Sequence, residues 1–193
     1  MEGKDYELEL PEGYESVLTI DATDKKFALR MNLAALIPLI PAFALAWRMI
    51  RDTRVEHIQL KMLLFLGAML LYIVLHELVH GIAYRALTHR RLTFGMKLTC
   101  AYCGVPDIYS YRRTALISLL APFTVFTIVF AALALGLNDA VLRAFSIVLL
   151  GQHLAGCSGD LYDTLLLLTR FRDPLTLMRD TGPVQTFYVK AAE

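Results

Sequence analysis

Four long stretches of the chain carry almost no charge. Residues 31–47 are 17 positions without an ionised side chain, bounded by Arg30 and Arg48. Residues 62–84, between Lys61 and Arg85, are 23 positions whose only carboxylate or imidazole groups are His76, Glu77 and His80. Residues 114–138 are 25 positions with no charge at all. Residues 144–169 are 26 positions, apolar apart from a polar centre containing His153, Asp160 and Asp163. A helix rising 1.5 Å per residue needs about 20 mostly apolar residues to cross a roughly 30 Å hydrocarbon core. All four stretches meet that length, the first only just. Helices of a soluble bundle would show amphipathic faces, and residues 114–138 are apolar all round. The pattern predicts an all-α integral membrane protein with four transmembrane helices.

The shorter segments add detail. Pro38 and Pro41 predict a kink in the first span, which neighbouring helices in lipid tolerate. Residues 6–10 and 16–20 alternate loosely around Pro11-Glu12-Gly13, as a small strand pair or an interfacial cap would. Residues 91–103 alternate better, with Leu92, Phe94, Met96, Leu98 and Cys100 on one face and Thr93, Lys97 and Thr99 on the other. Gly104-Val105-Pro106-Asp107 signals a turn, after which residues 108–111 pair back. A small cytoplasmic β-hairpin between helices two and three is therefore expected. The division that follows is a cytoplasmic lead-in at 1–28, a four-span core at 29–170 and a cytoplasmic tail at 171–193.

Charge refines the topology. The first 30 residues hold eight acids and four bases, the reverse of a basic leader, and the first apolar run starts late. That run is expected to stay in the protein and to serve as its targeting signal. Lys25, Lys26 and Arg30 flank the first span. Arg85, Arg90, Arg91, Lys97, Arg112 and Arg113 lie between spans two and three, and Arg170, Arg172 and Arg179 follow the fourth. Arg48, Arg51, Arg54, Lys61 and Arg143 fall on the opposite side. Basic residues favour the cytoplasm, which places both termini there, in a cell membrane.

Composition agrees with the bilayer as a partner. Hydrophobic residues make up 56% and charged residues 19%, against about 45–50% and about 25% in soluble domains. Mean hydropathy is +0.51. A net charge of +1 supplies no field to draw the chain to nucleic acid. With 3 cysteines, a disulfide scaffold is excluded.

One run carries chemistry: His76-Glu77-Leu78-Val79-His80. Positions i and i+4 share a helix face, so both imidazoles reach one metal ion, and Glu77 can take a proton from water held by that metal. Three ionisable groups at membrane depth are costly and point to function. Catalytic zinc takes three protein ligands and keeps one position open, so a third ligand must come from elsewhere. In the fourth stretch His153 and Asp160 are seven apart, with Asp163 three further on, all on one helix face. Counted from the cytoplasmic ends, Asp160 and Asp163 match the level of His76 and His80, and His153 lies about 10 Å deeper. Asp160 is the first choice as ligand, while His153 and Asp163 are candidates to support the ligands from behind.

At this point the chain resembles a known family. HELVHG, then Leu120-Ala121-Pro122-Phe123, then Gly156-Cys157-Ser158-Gly159-Asp160 look like the small bacterial membrane proteins known as "putative zincin peptidases" of unknown function. The resemblance runs over nearly the whole chain. More distantly, the order of elements is similar to site-2 proteases, intramembrane zinc peptidases. It implies Zn2+ as cofactor, His76, His80 and Asp160 as its ligands, and Glu77 as general base. Here Ala121-Pro122 lacks that family's glycine, Phe123 and the residues after it supply no asparagine, and Gly159-Asp160 reverses its Asp-Gly order. The stretch 91–111 resembles the family's hairpin, which can present an extended substrate by strand addition.

The expected activity is hydrolysis of a peptide bond in a membrane or membrane-proximal protein near the cytoplasmic face. The alternatives are a non-catalytic metal-binding membrane scaffold or sensor, and a thiol redox membrane protein using Cys100 and Cys103. Those two cysteines form a CxxC, with Cys157 near Asp160; a lone CxxC suits zinc, redox exchange or plain packing. His57 and His89 read as solvated loop residues, and Trp47, Tyr72, Tyr109 and Tyr111 as an interfacial belt.

Overall fold

Strands occupy the lead-in, the segment between the second and third long apolar helices, and the tail. A computed structural model describes residues 4–97 and 101–191. Its elements are β1 (Tyr6–Glu7), β2 (Tyr14–Asp21), α1 (Lys25–Ile50), α2 (Ile58–Thr88), β3 (Thr93–Met96), β4 (Ala101–Gly104) and β5 (Tyr109–Tyr111). Then come α3 (Arg112–Gly136), α4 (Ala140–Gly156), α5 (Ser158–Thr169), β6 (Leu177–Asp180) and β7 (Val184–Lys190). The chain divides into two compact units. One comprises residues up to 29, 77–121 and from 159 onward; the other comprises 30–76 and 122–158.

The expectation of an all-α protein is overturned by a five-stranded antiparallel sheet, in the order β1-β5-β6-β7-β2. Strands from the lead-in and the tail make up all of it except β5. Its centre was legible but unread: Val184-Gln185-Thr186-Phe187-Tyr188-Val189 is β-branched and aromatic, the composition a pleated surface favours. It follows a tight turn at Gly182, whose φ of 97° suits a residue without Cβ. The expected pairing of residues 6–10 with 16–20 does not form. β1 and β2 instead lie at opposite edges of the sheet.

The expected hairpin is also corrected. β3 pairs with β4 in a two-stranded ladder from Thr93↔Gly104 to Met96↔Ala101. The 109–111 stretch does not pair back on it. It enters the five-stranded sheet between β1 and β6, because Tyr111 donates its hydroxyl to Glu7 and its main chain meets Leu177.

Among the described residues three single helices, not four, are long and apolar enough to cross a membrane: α1, α2 and α3. The fourth apolar stretch breaks at Cys157 into α4 and α5, a bent pair that passes the same test of length and composition only when taken together as one broken span. Gly156 and Gly159 flank the break and weaken a continuous helix there. The start of α4 is well defined, since Asp139 caps it by accepting from the Val141 and Leu142 N–H groups.

In the unit that contains the sheet, Ile20, Met178 and Phe187 pack with Ala115 and Leu119 of α3, Leu167 of α5 and Phe171. Phe171 and Phe187 stack with centroids 5.2 Å apart. Arg112 Nε donates to the Leu167 carbonyl at 2.8 Å, fixing the start of α3 beside the end of α5. Tyr84 donates to Asp180 at 2.9 Å, tying α2 to β6. Within this unit the sheet thus holds the parts of α2, α3 and α5 that carry His80, Ser118 and Asp160. In the other unit, Ala46, Ala144 and Val148 pack with Ile50 and Phe65. Gly151 lets α4 approach α1 closely: a Cβ there would collide with Ala42 and meet the Pro38 carbonyl at 3.1 Å.

Candidate metal centre

Helix α2 places His76 and His80 one turn apart on the same face, with Glu77 about 100° round from His76. Both imidazoles are buried, and Glu77 is half-buried.

His80 is held from two sides. Its Nδ1 lies 2.8 Å from the main-chain oxygen of Ser118 in α3. A carbonyl only accepts, so Nδ1 carries a proton and Nε2 is the ring nitrogen that remains for a metal. That nitrogen faces Asp160 Oδ2 at 3.4 Å, a pair that a proton or a metal ion can bridge. Ligand atoms about 2.0–2.1 Å from a tetrahedral zinc stand ~3.3–3.4 Å apart, so this donor pair fits zinc. Asp160 sits in the first turn of α5, where the helix dipole favours a carboxylate.

The Ser118 carbonyl is available for a physical reason. Four residues on, the helix has Pro122, which lacks the N–H that would otherwise return to Ser118. The released oxygen is taken by His80. Pro122→Ala should restore that competitor, loosen His80 and weaken zinc retention by about 10-fold, at the lower end of losses seen when a ligand's supporting bond goes. Chelator competition would measure it. Unchanged retention would mean that the proline has no part in holding His80.

His76 is held differently. Its Nδ1 lies 3.1 Å from Tyr72 Oη, which lies 2.9 Å from His153 Nδ1. Tyr72, expected in an interfacial belt, is instead buried, edge-on to Phe126 and Phe130. Tyr109 and Tyr111 belong to the sheet, and Trp47 is exposed on α1.

His153 is fully buried on α4 and Asp160 lies on α5, so they do not share the single helix face expected of them. The break at Cys157 separates them. Asp163 is buried one turn beyond Asp160, and among the described residues its Oδ1 has no hydrogen-bond partner. Cys157 is buried with Sγ 3.6 Å from His153 Nδ1. Cys103 is a free, buried thiol pushed up to about 12, mainly by burial and then by the Asp180 and Glu77 carboxylates. Cys100 of the CxxC lies outside the described residues.

Sequence reasoning missed three contributors: Tyr72, Ser118 and Pro122. Two had a signal in the spacing. Tyr72 precedes His76 by four residues on the same face, and Pro122 follows Ser118 by four.

No curated protein and no solved structure matches the chain. A family model described as "putative zincin peptidase" matches residues 69–174. The match takes in the HELVH run, the α3 proline and both aspartates of α5, and it covers more than half of the chain, which therefore belongs to that family.

Proposed function

We propose that this protein is a zinc-dependent peptidase working within the cell membrane, cutting a membrane or membrane-proximal protein near the cytoplasmic face. The observation that carries the reading is His80 Nε2 facing the Asp160 carboxylate at 3.4 Å, on the helix that bears the HExxH run. His76, His80 and Asp160 are the residues that would hold the ion. Zinc, when bound, supplies Lewis-acid polarisation of the scissile carbonyl and of water. Glu77 takes the proton of the attacking water and returns it to the leaving amine nitrogen. Burial of both histidines limits competing water around the reacting groups. The thiol redox alternative loses ground, because a Cys103 thiol at about 12 stays protonated at neutral pH and the thiolate is the reactive form.

Two observations support the membrane setting. Leu33, Ile37 and Ile40 of α1 and Leu63, Leu70 and Val74 of α2 are exposed, more apolar helix surface than water-soluble proteins present. The sheet combines strands from the lead-in, from the segment between α2 and α3, and from the tail. Strands of one sheet share one side of a bilayer, and the basic residues around these three segments favour the cytoplasm.

The test is direct. Protein purified in detergent should carry one zinc per chain, lose peptide hydrolysis on chelation and regain it when zinc returns. Reporter fusions after Arg91 and after Arg170 should report cytoplasm, and one near Asp139 the outside. Zinc-free protein that still hydrolyses peptides would overturn the metallopeptidase reading, and an outside signal after Arg91 would move the site to the other face.

A further inference from the structure

We propose that Tyr72 and His153 are positioning residues that fix His76 in the tautomer able to bind metal, an inference that rests on the zinc-peptidase reading. The three side chains form a hydrogen-bonded line. His76 Nδ1 lies 3.1 Å from Tyr72 Oη, and Tyr72 Oη lies 2.9 Å from His153 Nδ1. His153 Nε2 lies 3.2 Å from the Phe123 main-chain oxygen and 3.2 Å from Thr127 Oγ1.

Such a line can run in two directions, with opposite consequences. If Thr127 donated to His153 Nε2, then His153 would donate to Tyr72 and Tyr72 to His76 Nδ1. His76 would then carry its proton on Nε2 and could not bind metal through it. The Phe123 carbonyl decides between them. It can only accept, so His153 Nε2 carries the proton. Nδ1 of a neutral His153 is then an acceptor, and Tyr72 donates to it. A doubly protonated imidazole here would be a charge in a fully buried, phenylalanine-lined setting, which is costly. With its own proton given to His153, Tyr72 Oη accepts from His76 Nδ1, and His76 Nε2 is left with its lone pair. At His80 the Ser118 carbonyl likewise takes the Nδ1 proton, so Nε2 is the nitrogen turned to Asp160. In both histidines of the HExxH run a hydrogen bond on Nδ1 thus reserves Nε2 for a metal, as metal-binding histidines require.

The same cluster could be taken for a second metal site. Ligand atoms of His76, His153 and Cys157 lie within 4.8 Å of one another, and a thiolate with two imidazoles suits soft metals. The hydrogen bonds argue against it. Nε2 of His153 is turned to a carbonyl and Nδ1 takes the tyrosine hydroxyl, so a metal would have to displace Tyr72 first.

The experiment is zinc competition against a chelator, using the full chain in detergent, with the visible spectrum of the Co2+-loaded protein as a second readout. Tyr72→Phe keeps the ring against Phe126 and Phe130 and removes only the hydroxyl. It should weaken zinc binding about 10–100-fold and shift the Co2+ spectrum. His153→Leu should do the same. The double variant should lose no more than either single one, because the two act in series. His153→Asn, which keeps an acceptor near the place of Nδ1, should recover most of the loss, and Cys157→Ser should bind zinc as wild type does. Equal zinc affinity in wild type and Tyr72→Phe would overturn this proposal alone. So would a Cys157→Ser variant that loses as much zinc as Tyr72→Phe, since that would make the cluster a metal site. Wild-type protein that binds no zinc would overturn both this proposal and the function it rests on.

Discussion

Glu77→Gln is expected to retain its zinc and lose peptide hydrolysis by about 10²–10⁴-fold, the usual contribution of a general base. The substitution keeps size and shape and leaves both histidines of α2 in place. The bond from His80 Nδ1 to the Ser118 carbonyl and the contact of His76 with Tyr72 involve other atoms, so both histidines stay oriented. Only the carboxylate that accepts the water proton is gone. Such a variant can also trap uncleaved substrate, which offers a way to identify it. The measurement pairs metal content with hydrolysis, or with a proteome comparison in cells. Zinc-loaded Glu77→Gln protein that behaves as wild type would leave a metal-dependent scaffold as the better reading. A response confined to Cys103→Ser would point to thiol chemistry.

The pairing of His80 with Asp160 was legible because it needed little structure. HExxH is a local pattern whose i,i+4 spacing fixes the helix face, and Asp160 followed from depth counting and resemblance. The groups that hydrogen-bond His76 and His80 were not legible in the same way. Ser118 acts through its main chain, which is common to every residue, so its side-chain identity says nothing. What marked it was Pro122 four residues on, and a proline in an apolar run reads first as a kink. Tyr72 was misread because an aromatic in a membrane helix has two good explanations, a wet interface or a buried hydrogen bond. Only packing against Phe126 and Phe130 separates them.

The fold was legible where length alone decides. Residues 25–50, 58–88 and 112–136 form helices because nothing else satisfies backbone groups across so long an apolar run. The sheet was hidden for the opposite reason. Its strands are short, β1 having 2 residues and β5 having 3, and they come from distant parts of the chain. Tyr6 pairs with Ser110, and Ser110 with Met178. No local period records such partners. The break at Cys157 was hinted at by Gly156 and Gly159, yet hydropathy averages over it. That is why residues 144–169 read as one span.

His76→Ala, His80→Ala and Asp160→Ala are each expected to lose stoichiometric zinc, whereas Asp163→Ala keeps it. A catalytic zinc has three protein ligands, and two of three leave an ion that a mild chelator removes. The geometry distinguishes the aspartates. His80 Nε2 faces Asp160 Oδ2 at 3.4 Å, while Asp163 is buried one turn further on with an oxygen that has no hydrogen-bond partner among the described residues. Removing Asp160 should leave the fold standing, because the Ser118 bond to His80, the Tyr84 bond to Asp180 and the Arg112 bond to the Leu167 carbonyl do not involve it. Removing Asp163 takes away a buried carboxylate, which is costly to keep when unpaired, so its loss should be tolerated in stability as well as in zinc. Metal analysis of the four purified variants, with a thermal melt to show that each is folded, decides the matter. A folded Asp160→Ala protein with full zinc, beside an Asp163→Ala protein without it, would make Asp163 the third ligand and turn α5 by one helical step relative to the ion.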